Sequence, residues 1–164
     1  MSEAGDVELD LIAVGAHPDD VEIAAGGTLL TLAERHPGLR VRYVLLTGEP
    51  DRQAEARAAA RAFTPGADLE IELHDLPDGR LPAVYGQVKE ALEGVARTFR
   101  PDVILAPCPQ DAHQDHRTVG GLVPTAFRDQ VVLSYESARA STFPVGPTPQ
   151  PPPHSDGEAG RGAS

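Results

Sequence analysis

The alternation of short apolar runs with helix-period segments is what most narrows the folds open to this chain. Residues 9–14, Leu-Asp-Leu-Ile-Ala-Val closed by Gly15, have the length and residue types of a buried strand. Residues 41–46 read as a second strand and 69–73 as a weaker, alternating third. Residues 103–106, stopped by Pro107, read as a fourth, and 131–133 as a fifth. Helical patterns fall between them, near 22–35, 52–63, 84–99 and 116–128. In the third of these, Val84, Val88, Leu92, Val95 and Phe99 recur as one apolar stripe. This alternation predicts an α/β fold, a Rossmann-like open and mostly parallel sheet with helices on both faces. Right-handed crossovers predict strand 1 in the centre, strands 2 and 3 on one side, and 4 and 5 on the other. Strands 1 and 4 are then neighbours, and open sheets bind ligands in the crevice beyond the carboxyl ends of such a pair.

Composition sets the outer limits. The chain has 164 residues, about one domain's worth. Six of its sixteen prolines fall between Pro144 and Pro153, and the sequence then runs HSDGEAGRGAS. That stretch has no apolar period with which to offset ordering entropy. The expected division is therefore a folded body over 1–143 and a disordered or loosely attached tail over 144–164. A net charge of −11 with no Trp argues against a nucleic-acid partner. No apolar run approaches the roughly 18–20 residues of a membrane span, so no membrane insertion is expected. The opening MSEAGDVELD lacks the regions of a secretory signal. Cys108 is the one cysteine and has no internal disulfide partner. The expectation is a cytoplasmic protein.

The two predicted strand ends carry the chemistry. After strand 1 stands Gly15-Ala16-His17-Pro18-Asp19-Asp20; after strand 4 stands Gln110-Asp111-Ala112-His113-Gln114-Asp115-His116. A catalytic zinc takes three protein ligands of nitrogen or carboxylate type and keeps a fourth position for water. His17 and Asp20, three apart on a strand-to-helix turn, suit one centre, and His116 completes two histidines and one carboxylate. Asp19 is then the base beside the metal. His113 becomes a supporting group with Asp115 orienting it.

Taken singly, each cluster has a plainer explanation. Asp19-Asp20 suits the positive end of a helix, and Asp115 suits a helix cap in a polar loop. Together they crowd carboxylates into one crevice, which calls for a cation. His36, His74 and His154 read as solvated or capping residues. Cys108 reads as a small buried filler, and Gly26-Gly27 as close packing of the first helix on the sheet, since neither phosphate-loop nor dinucleotide spacing is present. Arg52, at the start of the second helix, is a helix-surface charge or a ligand for hydroxyls or phosphate.

Ala16-His17-Pro18-Asp19-Asp20 with Gly26-Gly27-Thr28-Leu29, followed by His113-Gln114-Asp115-His116, resembles the two signatures of the PIG-L/LmbE-like zinc deacetylases. Arg52-x-x-Glu55, Asp78-Gly79-Arg80-Leu81, Arg100-Pro101-Asp102-Val103 and Leu133-Ser134-Tyr135-Glu136 add to the likeness, which covers about residues 10–143. The resemblance implies removal of an acetyl group from an N-acetylglucosaminyl compound, with one Zn2+ per chain on His17, Asp20 and His116. It implies Asp19 as general base, His113 as oxyanion stabiliser oriented by Asp115, and Arg52 as a substrate contact. A protonated His113, kept cationic by Asp115, is the form expected.

The likeness fades after Glu136, so the chain reads as short at its C-terminus against that family. Two other readings stay open at this stage: a metal-dependent phosphoesterase using the same carboxylates, and a non-catalytic metal-binding module. Beyond a small N-acetylated sugar conjugate, the partner expected is a second copy in a homo-oligomer.

Overall fold

The structure is a computed structural model and describes residues 8–137. The expected boundary at 143 and the proline-rich tail lie outside the described residues. The elements run β1 (Leu9–Gly15), α1 (Asp20–Arg35), β2 (Leu39–Thr47), α2 (Pro50–Phe63) and β3 (Asp68–Leu76), then a 3-10 turn (Leu81–Val84). They continue with α3 (Tyr85–Thr98), β4 (Val103–Pro107), α4 (Gln114–Ala126) and β5 (Val131–Tyr135). All five strands pair in parallel, in the order β3-β2-β1-β4-β5. This is the order that right-handed crossovers predict, with β1 in the centre.

Alternation along the central strands divides the core. Leu11 and Ala13 of β1, with Val41, Tyr43 and Leu45 of β2, join Val21, Ala25 and Leu29 of α1 and Ala56 and Ala60 of α2 on one face. Ile12 and Val14, with Val44 and Leu46, join Val88, Leu92 and Val95 of α3 and Val119, Leu122 and Val123 of α4 on the other. Because both faces are covered, the central strands read as continuous apolar runs.

Several local readings shift. α2 begins at Pro50, whose fixed φ and missing N–H suit the first helical position. α4 begins at Gln114, because the His113 imidazole caps it by accepting the Asp115 N–H at 3.1 Å. Gly26 packs against α2, not the sheet: a Cβ there would stand 2.7 Å from the Phe63 ring. Cys108 is only partly buried, and its thiol donates to Gln110 Oε1 at 3.2 Å. His74 pairs with Glu72 at 2.9 Å, and His36 closes α1 by donating its N–H to the Leu32 carbonyl.

Candidate metal centre

The chain leaves β1 into a tight turn built by Asp20. Its Oδ2 accepts the His17 N–H at 2.8 Å, and its own N–H reaches the His17 carbonyl at 3.3 Å. The Ile23 N–H bonds the Asp19 carbonyl at 3.0 Å. Fixed from both sides, Asp19 takes φ 95°, the one left-handed non-glycine residue among the described residues. Such a conformation costs about 1–2 kcal/mol, and residues that bear it concentrate at functional sites.

The second cluster is held against β4 by a close backbone approach. A Cβ at Gly120 would lie 2.3 Å from the Pro107 carbonyl oxygen, so glycine alone lets α4 settle on the loop after β4. Asp111 Oδ1 accepts the His113 N–H at 2.8 Å, which orders the turn into α4. His116, in the first turn of that helix, then points across to β1.

Three buried or nearly buried groups meet there. His116 Nε2 lies 3.2 Å from Asp20 Oδ1 and 3.3 Å from His17 Nδ1, and His17 Nδ1 lies 3.5 Å from Asp20 Oδ2. Ligands about 2.0–2.1 Å from a tetrahedral zinc stand about 3.3–3.4 Å from each other; the His17 and His116 nitrogens have that spacing, and Asp20 turns Oδ1 to one ring and Oδ2 to the other. A second trio, one ring nitrogen each from His17, His113 and His116, lies within 4.8 Å, as do His17, Asp78 and Asp115.

The His17 and His116 rings each have a carboxylate behind them. His17 Nε2 faces Asp115 Oδ2 at 3.0 Å and Asp78 Oδ1 at 3.2 Å. His116 Nδ1 faces Asp111 Oδ2 at 3.2 Å; both atoms are buried, and they lack the alignment of a hydrogen bond. Carboxylates in this position orient a metal-binding imidazole and raise its basicity. Asp111 stands in the second sequence cluster and Asp78 in a motif of the family resemblance, and neither has a role assigned there.

The charges follow from this packing. Burial disfavours a cationic His17, but bonds and charge from Asp20, with Asp115 and Asp78, outweigh it and push its pKa up to about 9. His116 rises for the same reason, with burial overcome by Asp20 and Asp111. Burial would raise the Asp20 carboxyl, yet His116 and His17 hold it well below the usual range. The cluster calls for positive charge between its carboxylates, which protonated rings or a divalent cation can supply.

Two sequence readings change here. Asp115 does not touch the His113 ring with its carboxylate. It is fully buried behind His17, accepting from Gly79 N–H at 2.8 Å and Leu81 N–H at 3.0 Å. His113 is not held cationic: burial and the neighbouring His17 and His116 lower its pKa. Its Nδ1 already accepts the Asp115 N–H, which leaves the proton of the neutral ring on Nε2.

His17, Asp19, Asp20, Arg52, Asp78, His113 and His116 border one pocket of about 470 Å3, within the usual range for small-molecule sites. Asp115 stays behind the pocket wall. Arg52 Nη2 stands at its rim, 3.3 Å from Asp19 Oδ2 and 3.2 Å from the Pro18 carbonyl.

Two histidines and a carboxylate converge beyond the ends of β1 and β4 in an open parallel sheet, where such sheets bind ligands, and they are donors of the type a catalytic metal takes. The family model described as GlcNAc-PI de-N-acetylase (PIG-L) matches residues 12–127, and the chain belongs to that family. It is 31% identical over 140 residues to the uncharacterized deacetylase YaiS of Escherichia coli, covering 77% of this chain and 73% of that one. It is 32% identical over 127 residues to the diacetylchitobiose deacetylase of Thermococcus kodakarensis, covering 68% of this chain but 46% of the relative. The crystal structure of conserved protein TT1542 from Thermus thermophilus aligns at TM-score 0.66 and 30% identity, over 82% of this chain and 68% of that one. Deacetylases are amide hydrolases, and the family puts this chain in that class. No helix among the described residues is long and apolar enough to cross a membrane.

Proposed function

We propose that this chain is a zinc-dependent deacetylase that hydrolyses the acetamide of an N-acetylglucosaminyl conjugate, with one zinc held by His17, Asp20 and His116. The observation that carries this reading is the convergence of those three side chains at 3.2–3.5 Å. The family description and the diacetylchitobiose deacetylase relative support an N-acetylated sugar as substrate. A bound zinc polarises an amide carbonyl and lowers the pKa of a water toward about 7.

The remaining work falls to the chain's own groups. Asp19, on the pocket wall, takes a proton from the water that attacks the carbonyl carbon. It returns that proton to the amine nitrogen as the C–N bond breaks, leaving acetate and a free amino sugar. His113, neutral, donates its Nε2–H to the carbonyl oxygen as negative charge builds there. Asp115 and Asp111 act through the rings, orienting His17 and His116. Arg52 and Asp78 on the rim offer donors and acceptors to sugar hydroxyls.

A two-metal phosphoesterase fits less well. Both oxygens of Asp115 are already taken by backbone N–H groups, so the second acidic group is not free to bridge ions. Elemental analysis of the purified chain, with His17→Ala and His116→Ala, tests the proposal together with acetate release from diacetylchitobiose. The expected result is about one zinc per chain, lost in both variants together with acetate release. Zinc uptake without acetate release from any N-acetylated sugar would leave a non-catalytic metal module. No zinc after reconstitution would overturn the site itself.

A further inference from the structure

The pocket carries more acid than a zinc ion and its base need. Among the described residues that line it, Asp19, Asp20, Glu49 and Asp78 are acidic and Arg52 alone is a strong base. Asp111 and Asp115 add two carboxylates behind the histidine rings. Set against one guanidinium and the proposed dication, these six carboxylates leave three negative charges. Arg52 offers an anionic ligand little relief. Its guanidinium stands 3.3 Å from Asp19 and 3.6 Å from Glu55, and it donates to the Pro18 carbonyl.

Glu49 has no task in the metal cluster. It is exposed and belongs to neither group whose atoms lie close enough to share an ion. It stands at the N-cap of α2 without capping it, and its carboxylate bonds no described residue. Its backbone is nonetheless fixed. The Thr47 N–H and hydroxyl both donate to the Ala16 carbonyl, at 3.0 and 2.8 Å, which ties the end of β2 to the His17 turn. A Cβ on Gly48 would stand 2.7 Å from the Pro18 ring. Gln53 donates its amide to the Gly48 carbonyl and its N–H to the Glu49 carbonyl, both at 2.9 Å. Asp78 is placed in a comparable way. Its turn is held by Asp115 through the Gly79 and Leu81 N–H groups and by Gln114 through the Gly79 carbonyl, while its side chain is 78% exposed.

We propose that, on the deacetylase reading on which this rests, the pocket selects N-acetylated sugars whose neighbouring group carries an ammonium, met by Glu49 and Asp78, and disfavours anionic conjugates such as phosphate-linked sugars. Clefts lined by one sign of charge focus the field on whatever enters them. A space of about 470 Å3 is roughly 10 Å across, so a bound group stands within about one Debye length, ~8 Å, of the lining charges. Three charges at about that distance, taken at the dielectric of water, change affinity roughly tenfold for each unit of ligand charge. Salt screening trims this, and the sign stays the same.

The aminoethyl, propyl and carboxymethyl glycosides of N-acetylglucosamine differ by one charge at a time and test this on the zinc-reconstituted full chain. The expected kcat/KM falls in that order, with the aminoethyl glycoside at least about tenfold above the carboxymethyl one. Calorimetric Kd values should follow the same order, independently of turnover. Glu49→Lys should shrink the ratio at least about threefold and leave the propyl glycoside within about twofold of wild type. Glu90→Lys, the same charge change on an exposed α3 position outside the pocket, should leave the ratio intact. Equal kcat/KM values, or a preference for the carboxymethyl glycoside, would overturn the charge selection and leave the deacetylase reading standing. So would a ratio that Glu90→Lys shrinks as much as Glu49→Lys does. Kd values in the expected order without acetate release would overturn the deacetylase reading and support the charge selection. Neither cleavage nor binding of any of the three would overturn both.

Discussion

Replacing Asp115 by asparagine should separate a carboxylate that builds the site from one that merely neighbours it. Asp115 is fully buried, and its two oxygens accept from Gly79 N–H, Leu81 N–H and the His17 ring. An asparagine has one accepting oxygen. If its NH2 takes the place of Oδ1, Leu81 N–H loses its partner; if it takes the place of Oδ2, Gly79 N–H and His17 lose theirs. A buried donor left unpaired costs about 1–3 kcal/mol, and bonds to a charged acceptor cost more to lose. The neutral amide is cheaper to bury, which trims that loss. The net expectation is about 2–4 kcal/mol, a fall in Tm of roughly 6–12 °C for a chain of this size. Zinc affinity should fall about 10–100-fold, because His17 loses the group that fixes its ring. Asp78→Asn is the control: its carboxylate also faces His17, at 3.2 Å, but is 78% exposed, so it should cost no more than about 0.5 kcal/mol. Circular-dichroism melts and chelator-competition titrations read both quantities. An Asp115→Asn chain melting within about 2 °C of wild type, with unchanged zinc affinity, would refute the account of Asp115 as the hub of the site.

Two further outcomes follow from the same geometry. Asp19→Gly should raise Tm by about 2–3 °C, since glycine relieves a φ of 95°, and should cut acetate release at least about 100-fold. Asp19→Asn should keep zinc and lose turnover to the same extent; a glycine variant that melts lower, or an asparagine variant that turns over normally, contradicts the strain or the base assignment. For the chain stripped of metal by chelation, the His17 pKa is raised from 6.5 to about 9. Its stabilising contribution is therefore complete below pH 6.5 and disappears as pH rises through 9, and His116 acts in the same direction. Asp20 is held low, so its contribution is present above 3.8 and is lost on acidification. Melting of the stripped chain should thus fall between about pH 7 and 9.5, and saturating zinc should shrink that fall. Equal melting temperatures across the range would remove the basis for the charge assignment.

The sheet order and the meeting of the two clusters were legible in the sequence because both follow from chain direction. Five apolar runs separated by helical segments leave few right-handed arrangements, and the favoured one brings His17 beside His116 although 99 residues separate them. The supporting groups were not legible in that way. Asp115 is two residues from His113 in sequence, and proximity suggested that pair. Once His113 caps α4, the Asp115 side chain in the first turn is directed inward, where only His17 and the 79–81 turn can meet it. The Gly26 contact likewise depends on how α1 and α2 settle together, which helical spacing alone does not set. Asp111 carried a usable signal, a carboxylate five residues before a metal-type histidine, but only the turn after β4 decides which ring it faces.

The placement of the strain has a structural cause. Two adjacent strands end about 4.8 Å apart, so ligands that leave both ends reach one point only if the connections stay short. His17 and Asp20 manage this within a single turn, and that turn forces Asp19 into the left-handed region. α4 manages it by lying directly on the backbone of residues 107–109, which Gly120 permits. None of the three proposed ligands therefore sits on a long loop; each is fixed to an element that packs on the central core. Opening the site means disturbing β1, α1 or α4, so amide exchange at His17, whose N–H is bonded to Asp20 Oδ2, should be as slow as in the core strands and not in the class of mobile loops. On the proposed function, substrate adaptation falls to the rim, where Arg52 and Asp78 are exposed and their contacts are weak enough to be exchanged for a ligand's hydroxyls.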